Sequence, residues 1–168
     1  MKTVILPGYS KHNREWAEDV ARKLKLGHKI VVHEWKHWSS KGGFSLKSEV
    51  AKILEEVGNE KVNIIAKSVG VFVALNLIPK IPTKVNKVIF CGIASVVAED
   101  RSALLETSLL EIPVEHFLCI QNEHDKYVPF AQANEFYHAV EPKLKVISKP
   151  RSDHNYPYFE DFQKFLKP

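Results

Sequence analysis

Residues 62–79 read VNIIAKSVGVFVALNLIP, and the fold turns on them. Val62–Ala66 is a short apolar run of strand length. Val69–Leu77 is apolar all round, so periodicity alone does not separate strand from helix. Its valines favour a strand. Its place directly after Ser68, the closing Pro79 and the need for a crossover between parallel strands favour a buried helix. A helix is the expectation. Ser68 then sits on a tight strand-to-helix turn. In such a turn the residues two positions away on either side must be small, and Ala66 and Gly70 are. The serine hydroxyl projects above the sheet, and the helix N-terminus behind it favours developing negative charge. From this stretch alone, a serine that merely caps the helix reads equally well.

Working outward, short apolar runs alternate with amphipathic segments. Upstream, Thr3–Leu6 is a strand ended by Pro7-Gly8. Glu15–Leu26 is a helix with Trp16, Val20 and Leu24 on one stripe, closed by Gly27. Lys29–Val32 is a strand. Leu46–Val57 is a helix stopped by Gly58-Asn59. Downstream, Lys87–Cys91 and Val114–Ile120 are strands, separated by a polar stretch with one short helix near Asp100–Leu109. Phe130–Val140 is a helix, Leu144–Ile147 the last strand and Tyr158–Leu166 a terminal helix. Strands buried on both faces read as continuous apolar runs, as these do. Right-handed crossovers then give about six parallel strands with helices on both faces, a three-layer α/β/α fold. With no linker, repeat or low-complexity segment, residues 1–168 read as a single domain.

Composition narrows the function classes. A hydrophobic content of 45% and a charged content of 26% suit a soluble globular chain. The net charge of +4 comes from scattered lysines, so no nucleic-acid partner is expected. The longest apolar stretch, Val69 to Ile78, is too short to span a bilayer, so no membrane association is expected. The N-terminal apolar run is too short for a signal peptide. Cys91 and Cys119 lie in apolar strands without metal spacing and read as buried thiols of a reducing cytoplasm. No cofactor is implied.

In parallel sheets, ligands bind beyond the carboxyl ends of the strands. Two polar loops lie there. One is Asn122-Glu123-His124-Asp125-Lys126-Tyr127-Val128-Pro129, the other Ser152-Asp153-His154-Asn155-Tyr156. A serine hydroxyl becomes a useful nucleophile when an imidazole takes its proton. The imidazole in turn needs a carboxylate to fix its tautomer. Ser68, Asp125 and His154 supply these groups in that chain order, each at a strand end.

On these residues the chain resembles the α/β-hydrolase superfamily over nearly its whole length, and most of all its small, lid-poor bacterial members. Ala66-Lys67-Ser68-Val69-Gly70 matches the Gly-x-Ser-x-Gly elbow except at its first glycine. Asn122 to Pro129 matches Gly-x-x-Asp-x-x-Val-Pro with Asn for Gly, and Asp153-His154-Asn155 matches the histidine segment. The resemblance implies a minimal α/β-hydrolase fold, because the two antiparallel strands that open the family's fold and most of its lid have no counterpart here. It implies Ser68 as nucleophile, His154 as base and Asp125 as acid. It also implies an oxyanion hole from the backbone N–H groups of Val69 and Tyr9, where Pro7-Gly8-Tyr9 stands for the family's His-Gly. The implied reaction is hydrolysis of a small carboxylic ester, or a thioester, through an acyl-enzyme. A catalytically silent binding protein on the same fold is the alternative.

Other residues carry weaker readings. Trp35, Trp38 and Tyr127 are candidates to line the substrate pocket, with packing of the two indoles on the sheet edge as the alternative. Glu123 rivals Asp125 as the acid. His33, Glu34 and His37 lack an evident third metal ligand, so no metal is expected. Lys67 reads as a solvated elbow residue.

Overall fold

The computed structural model describes residues 1–96 and 99–167. Residues 97 and 98, in the polar stretch between the fourth and fifth expected strands, and residue 168, at the end of the expected domain, lie outside the described residues. Six strands form one sheet: β1 (Lys2–Leu6), β2 (Lys29–Val32), β3 (Val62–Lys67), β4 (Val85–Cys91), β5 (Phe117–Asn122) and β6 (Lys145–Lys149). Their order is β2-β1-β3-β4-β5-β6, and every pairing is parallel. The helices are α1 (Asn13–Lys23), α2 (Leu46–Val57), α3 (Val69–Leu77), α4 (Glu99–Leu110), α5 (Phe130–Val140) and α6 (Phe159–Leu166).

The period of two along each strand divides the core into two layers. Val4, Leu6, Ile64, Ala66, Val88 and Phe90 face one side and meet residues of α2, α3, α4 and α5. Ile5, Ile65, Ile89 and Cys91 face the other and meet Trp16, Ala17 and Val20 of α1 and Phe162 and Leu166 of α6. Helix α3 lies within the first layer. Val71, Val73, Leu75 and Leu77 are at most 1% exposed, and burying each contributes about 2 kcal/mol. That burial outweighs the strand preference of the valines. The helix ends at Leu77, and a 3-10 turn over Ile78–Lys80 carries Pro79.

Several boundaries differ from the sequence reading: β4 begins at Val85 and not Lys87, β6 runs over Lys145–Lys149 and not Leu144–Ile147, and α1 ends at Lys23 and not Leu26. The fifth strand begins at Phe117 and not at Val114, because Val114–His116 turns as a 3-10 helix closed by the His116 N–H donating to Pro113. The first helix starts two residues early, at Asn13, whose N–H donates to the Ser10 carbonyl.

Beside β2, His33 is fully buried between two carboxylates, with Nδ1 2.8 Å from Glu56 and Nε2 3.0 Å from Glu49. The second Glu49 oxygen accepts the Lys36 N–H. These contacts, with His33 and Glu49 buried and Glu56 partly so, anchor the start of the Trp35–Gly43 loop to α2.

The chain leaves β1 toward β2 on one side and returns to β3 on the other. The crevice between the ends of β1 and β3 is therefore the sheet's switch point. Ser68 and Tyr9 follow those two strands.

Candidate active site

Ser68 has φ 58° and ψ −118°, and it is the one non-glycine residue with positive φ among those described. Such a conformation costs about 1–3 kcal/mol and persists where its surroundings enforce it. Here the Ser68 N–H donates to the Cys91 carbonyl at the end of β4, and the Ser68 carbonyl accepts the Val71 N–H. The Ser68 side chain makes no capping bond to α3, so the capping alternative does not describe it. Gly70 explains the tightness of the turn. A Cβ there would lie 2.1 Å from the Leu6 carbonyl oxygen, so only glycine lets α3 approach the end of β1.

The loops after β5 and β6 are laced together. The Glu123 and His124 N–H groups donate to the carbonyls of Lys149 and Arg151. The Asn122 amide donates to the carbonyls of Asp153 and Asn155, on either side of His154. Asp125 Oδ2 accepts from His154 Nδ1 and from the Tyr156 hydroxyl, each at 2.6 Å, and Oδ1 accepts the Tyr127 N–H at 2.9 Å. Burial pushes the Asp125 carboxyl up, but these hydrogen bonds outweigh it and hold the group below its ordinary value. A carboxylate only accepts, so Nδ1 carries the imidazole proton and Nε2 is left basic. That Nε2 is buried and has no hydrogen-bond partner among the described residues. The Tyr127 and Tyr156 rings pack edge-on to the imidazole, with centroids 4.7 and 5.7 Å away. Glu123, the rival acid, is half exposed and lies near His124 instead.

A cavity of about 300 Å³ opens over the serine. Tyr9, Ser68, Val69, Phe72, Arg101 and Tyr127 line it, with Ala94 and Ser95. Val69 is the first residue of α3, where a helix offers its N–H no internal acceptor. The Tyr9 loop is pinned from behind. Trp35 Nε1 donates to the Gly8 carbonyl at 3.0 Å, Trp38 Nε1 donates to the Tyr9 carbonyl, and His37 Nε2 lies 2.8 Å from that same oxygen. Trp35 and Trp38 are thus absent from the cavity lining, contrary to expectation. Trp35 is 1% exposed, in the core behind the loop. Tyr127 does line the cavity.

Lys67 also departs from expectation. It is not solvated but 5% exposed, with Nζ donating to Asn13 Oδ1 at 2.6 Å and lying over the Trp16 ring. The alternation along β3 that turns Ile65 toward α1 turns Lys67 there too, and that period was the available signal. His33, Glu34 and His37 do not converge. Glu34 pairs with Arg14, and His37 stacks on Tyr9. Among the described residues no three His, Cys, Asp or Glu side chains gather as for a metal. The sequence pattern does not announce the bracing roles of Asn122 and Tyr156, nor the lining residues Phe72 and Arg101. Their partners lie far along the chain.

The parallel sheet, the elbow at its switch point and the polar loops beyond β5 and β6 define the α/β-hydrolase class. Within it, the chain belongs to the serine hydrolase family, whose profile matches residues 3–154, and it is an enzyme of that family. No curated protein matches it. Among solved structures it is similar to an alpha-beta serine hydrolase homologue from Coxiella burnetii, with 19% identity, a TM-score of 0.76, and 99% of this chain and 83% of that one covered. A serine hydrolase without lid from Xanthomonas campestris aligns at 15% identity and TM-score 0.69, over 98% of this chain and 78% of the other. An esterase from Exiguobacterium antarcticum aligns at 14% identity and TM-score 0.69, over 99% and 89%. At these identities the likeness is one of fold.

Proposed function

We propose that this serine hydrolase cleaves small carboxylic esters, with Ser68 as nucleophile, His154 as general base and Asp125 as the group that orients it. The observation that carries the reading is the joint geometry of a positive-φ serine at the switch point and a buried imidazole. Asp125 fixes the tautomer of that imidazole, and its Nε2 is otherwise unpartnered. Ser68 Oγ attacks the ester carbonyl while His154 Nε2 takes its proton. The N–H groups of Val69 and Tyr9 stabilise the oxyanion. Collapse expels the alcohol, protonated by His154, and leaves an acyl-enzyme. Water, deprotonated by His154, then releases the acid and restores Ser68. Tyr127 and Phe72 form walls for the acyl or alcohol group. Residues 1–168 act as one domain, and the buried free thiols Cys91 and Cys119 suit a reducing cytoplasm.

The test is labelling by a fluorophosphonate, which requires an activated serine, beside turnover of p-nitrophenyl acetate. The wild-type protein is expected to do both, and a folded Ser68→Ala protein neither. Labelling retained in Ser68→Ala would move the nucleophile elsewhere. A wild-type protein inert in both assays would favour a binding protein on this fold.

A further inference from the structure

We propose that Lys67 is a positioning residue for the oxyanion hole, setting through Asn13 the distance between the Tyr9 loop and the elbow that carries Val69. The proposal rests on the ester-hydrolysis reading above. The two supposed donors come from different parts of the chain. Val69 follows the nucleophile on β3–α3, whereas Tyr9 lies in the connection from β1 to α1. Their separation needs a fixed link, and Asn13 supplies it. Its Oδ1 accepts from Lys67 Nζ at 2.6 Å, and its Nδ2 donates to the Ser10 carbonyl at 3.0 Å. The same side chain lies against Gly8, where an added Cβ would stand 2.6 Å from Asn13 Oδ1. Asn13 therefore touches the residues on both sides of Tyr9, and Lys67 is the immediate neighbour of Ser68. On the opposite face the loop hangs from Trp35, His37 and Trp38. The indoles fix the loop to the β2 side, and only the Lys67–Asn13 bond ties it to the elbow among the hydrogen bonds of the described residues.

The burial of this cation fits such a role. Among the described residues Lys67 makes no ion pair, and its Nζ has Asn13 as its one hydrogen-bond partner and the Trp16 ring beneath it. Burying an amine with so little compensation costs stability. A charge-assisted bond to a neutral acceptor is roughly twice as strong as a neutral one, which suits a tether that must not slacken while the oxyanion forms.

The test compares Lys67→Met, Asn13→Leu and Asn13→Asp with wild type on p-nitrophenyl acetate and on the corresponding thionoester. The thionoester's sulfur accepts hydrogen bonds poorly. Thermal unfolding checks each variant. Removing an oxyanion donor costs about 100- to 1,000-fold, so displacing one is expected to lower kcat on the oxygen ester about 10- to 100-fold, with KM little changed. The thionoester should lose much less. Asn13→Asp keeps an acceptor for Lys67 but loses the donor to the Ser10 carbonyl, so its kcat should fall between those of wild type and Asn13→Leu. The double variant Lys67→Met/Asn13→Leu should be no slower than the slower single one, since both remove the same link. Equal losses on the two substrates, multiplicative losses in the double variant, or an unchanged kcat in Lys67→Met would each overturn the proposal. If Lys67→Met does not fold, the contrast between Asn13→Leu and Asn13→Asp decides, and equal kcat in those two sinks the idea. An active wild type with an unaffected Lys67→Met removes the tether alone. A wild type that neither turns over ester nor takes the fluorophosphonate removes the hydrolytic reading, and the tether with it.

Discussion

Gly92 occupies a position with no room for a side chain. Its φ is +60°, and a Cβ there would lie 2.3 Å from the Tyr156 ring. That ring carries the hydroxyl that donates to Asp125 and accepts the Asn122 N–H. Gly92→Ala is therefore expected to destabilise the protein by about 2–4 kcal/mol, combining backbone strain with displacement of a buried ring. Turnover should fall with it as Asp125 loses its brace. Chemical denaturation and steady-state kinetics on one preparation would measure both. Asp125→Asn should cut turnover by a factor on the order of 10³–10⁴ if Asp125 fixes the imidazole tautomer, whereas Glu123→Gln should leave it near wild type. The same carboxylate makes a pH statement. Its folded pKa lies below the ordinary 3.8, so the folded state binds fewer protons than the unfolded one across that interval. Its contribution to stability is full above the unfolded pKa and is lost as the pH falls through the folded pKa. Unfolding free energy measured between about pH 5 and pH 2 should therefore drop more steeply in wild type than in Asp125→Asn. Equal slopes would place the acid lability elsewhere.

Helix α3 shows how far an element can be read before it is seen. Local propensity pointed to a strand, and only its place between two parallel strands argued for a helix. The structure gives the helix, because all-round burial in the layer above the sheet rewards its apolar residues whatever their intrinsic preference. The strands were legible as well, since fully buried parallel strands announce themselves as apolar runs. The start of β5 was not. Val114 extends the apolar run on paper, but the Pro113 turn uses it up. The elbow was legible from Ala66, Ser68 and Gly70, and the facing loops from Asp125 and His154. The aromatic loop misled for a physical reason. A tryptophan near a site serves equally well as wall or as buttress, and an indole N–H aimed at a backbone carbonyl is invisible without coordinates. The junction of β1 and α3 yields its own prediction. Gly70→Ala places a methyl 2.1 Å from the Leu6 carbonyl, and backbone on both sides leaves nothing flexible to yield. A loss of at least about 3 kcal/mol is expected, read as a lowered unfolding midpoint. Tolerance of alanine there would mean that the elbow can open.

On the scale of the molecule, the site is a shallow basin at one end of the sheet. Its cavity of about 300 Å³ sits at the lower bound of small-molecule pockets. Each methylene that a pocket buries contributes about 0.8 kcal/mol, so a basin that holds few of them rewards short chains. Esters with acyl groups of roughly two to six carbons should turn over best on that reasoning, with no jump in rate at the micelle threshold. A preference for long chains in a nitrophenyl ester series would count against it. The strand order has a further consequence, for the course of folding. The groups assigned to the chemistry follow β1, β3, β5 and β6. Of the pairings among these strands, β1 with β3 joins Lys2 to Val62 across α1, β2 and α2, whereas β5 with β6 joins Leu118 to Lys145 across α5 alone. Pairings distant in sequence close late, because their loop entropy is lost before contacts repay it. In a refolding experiment the His154 loop should therefore dock on Asp125 before β1 closes against β3 and the core around Trp16 and Trp35 is completed. Capacity to react with a fluorophosphonate should return only when β1 closes on β3 and brings the Tyr9 loop to Ser68, making covalent labelling a clock for the last step of assembly.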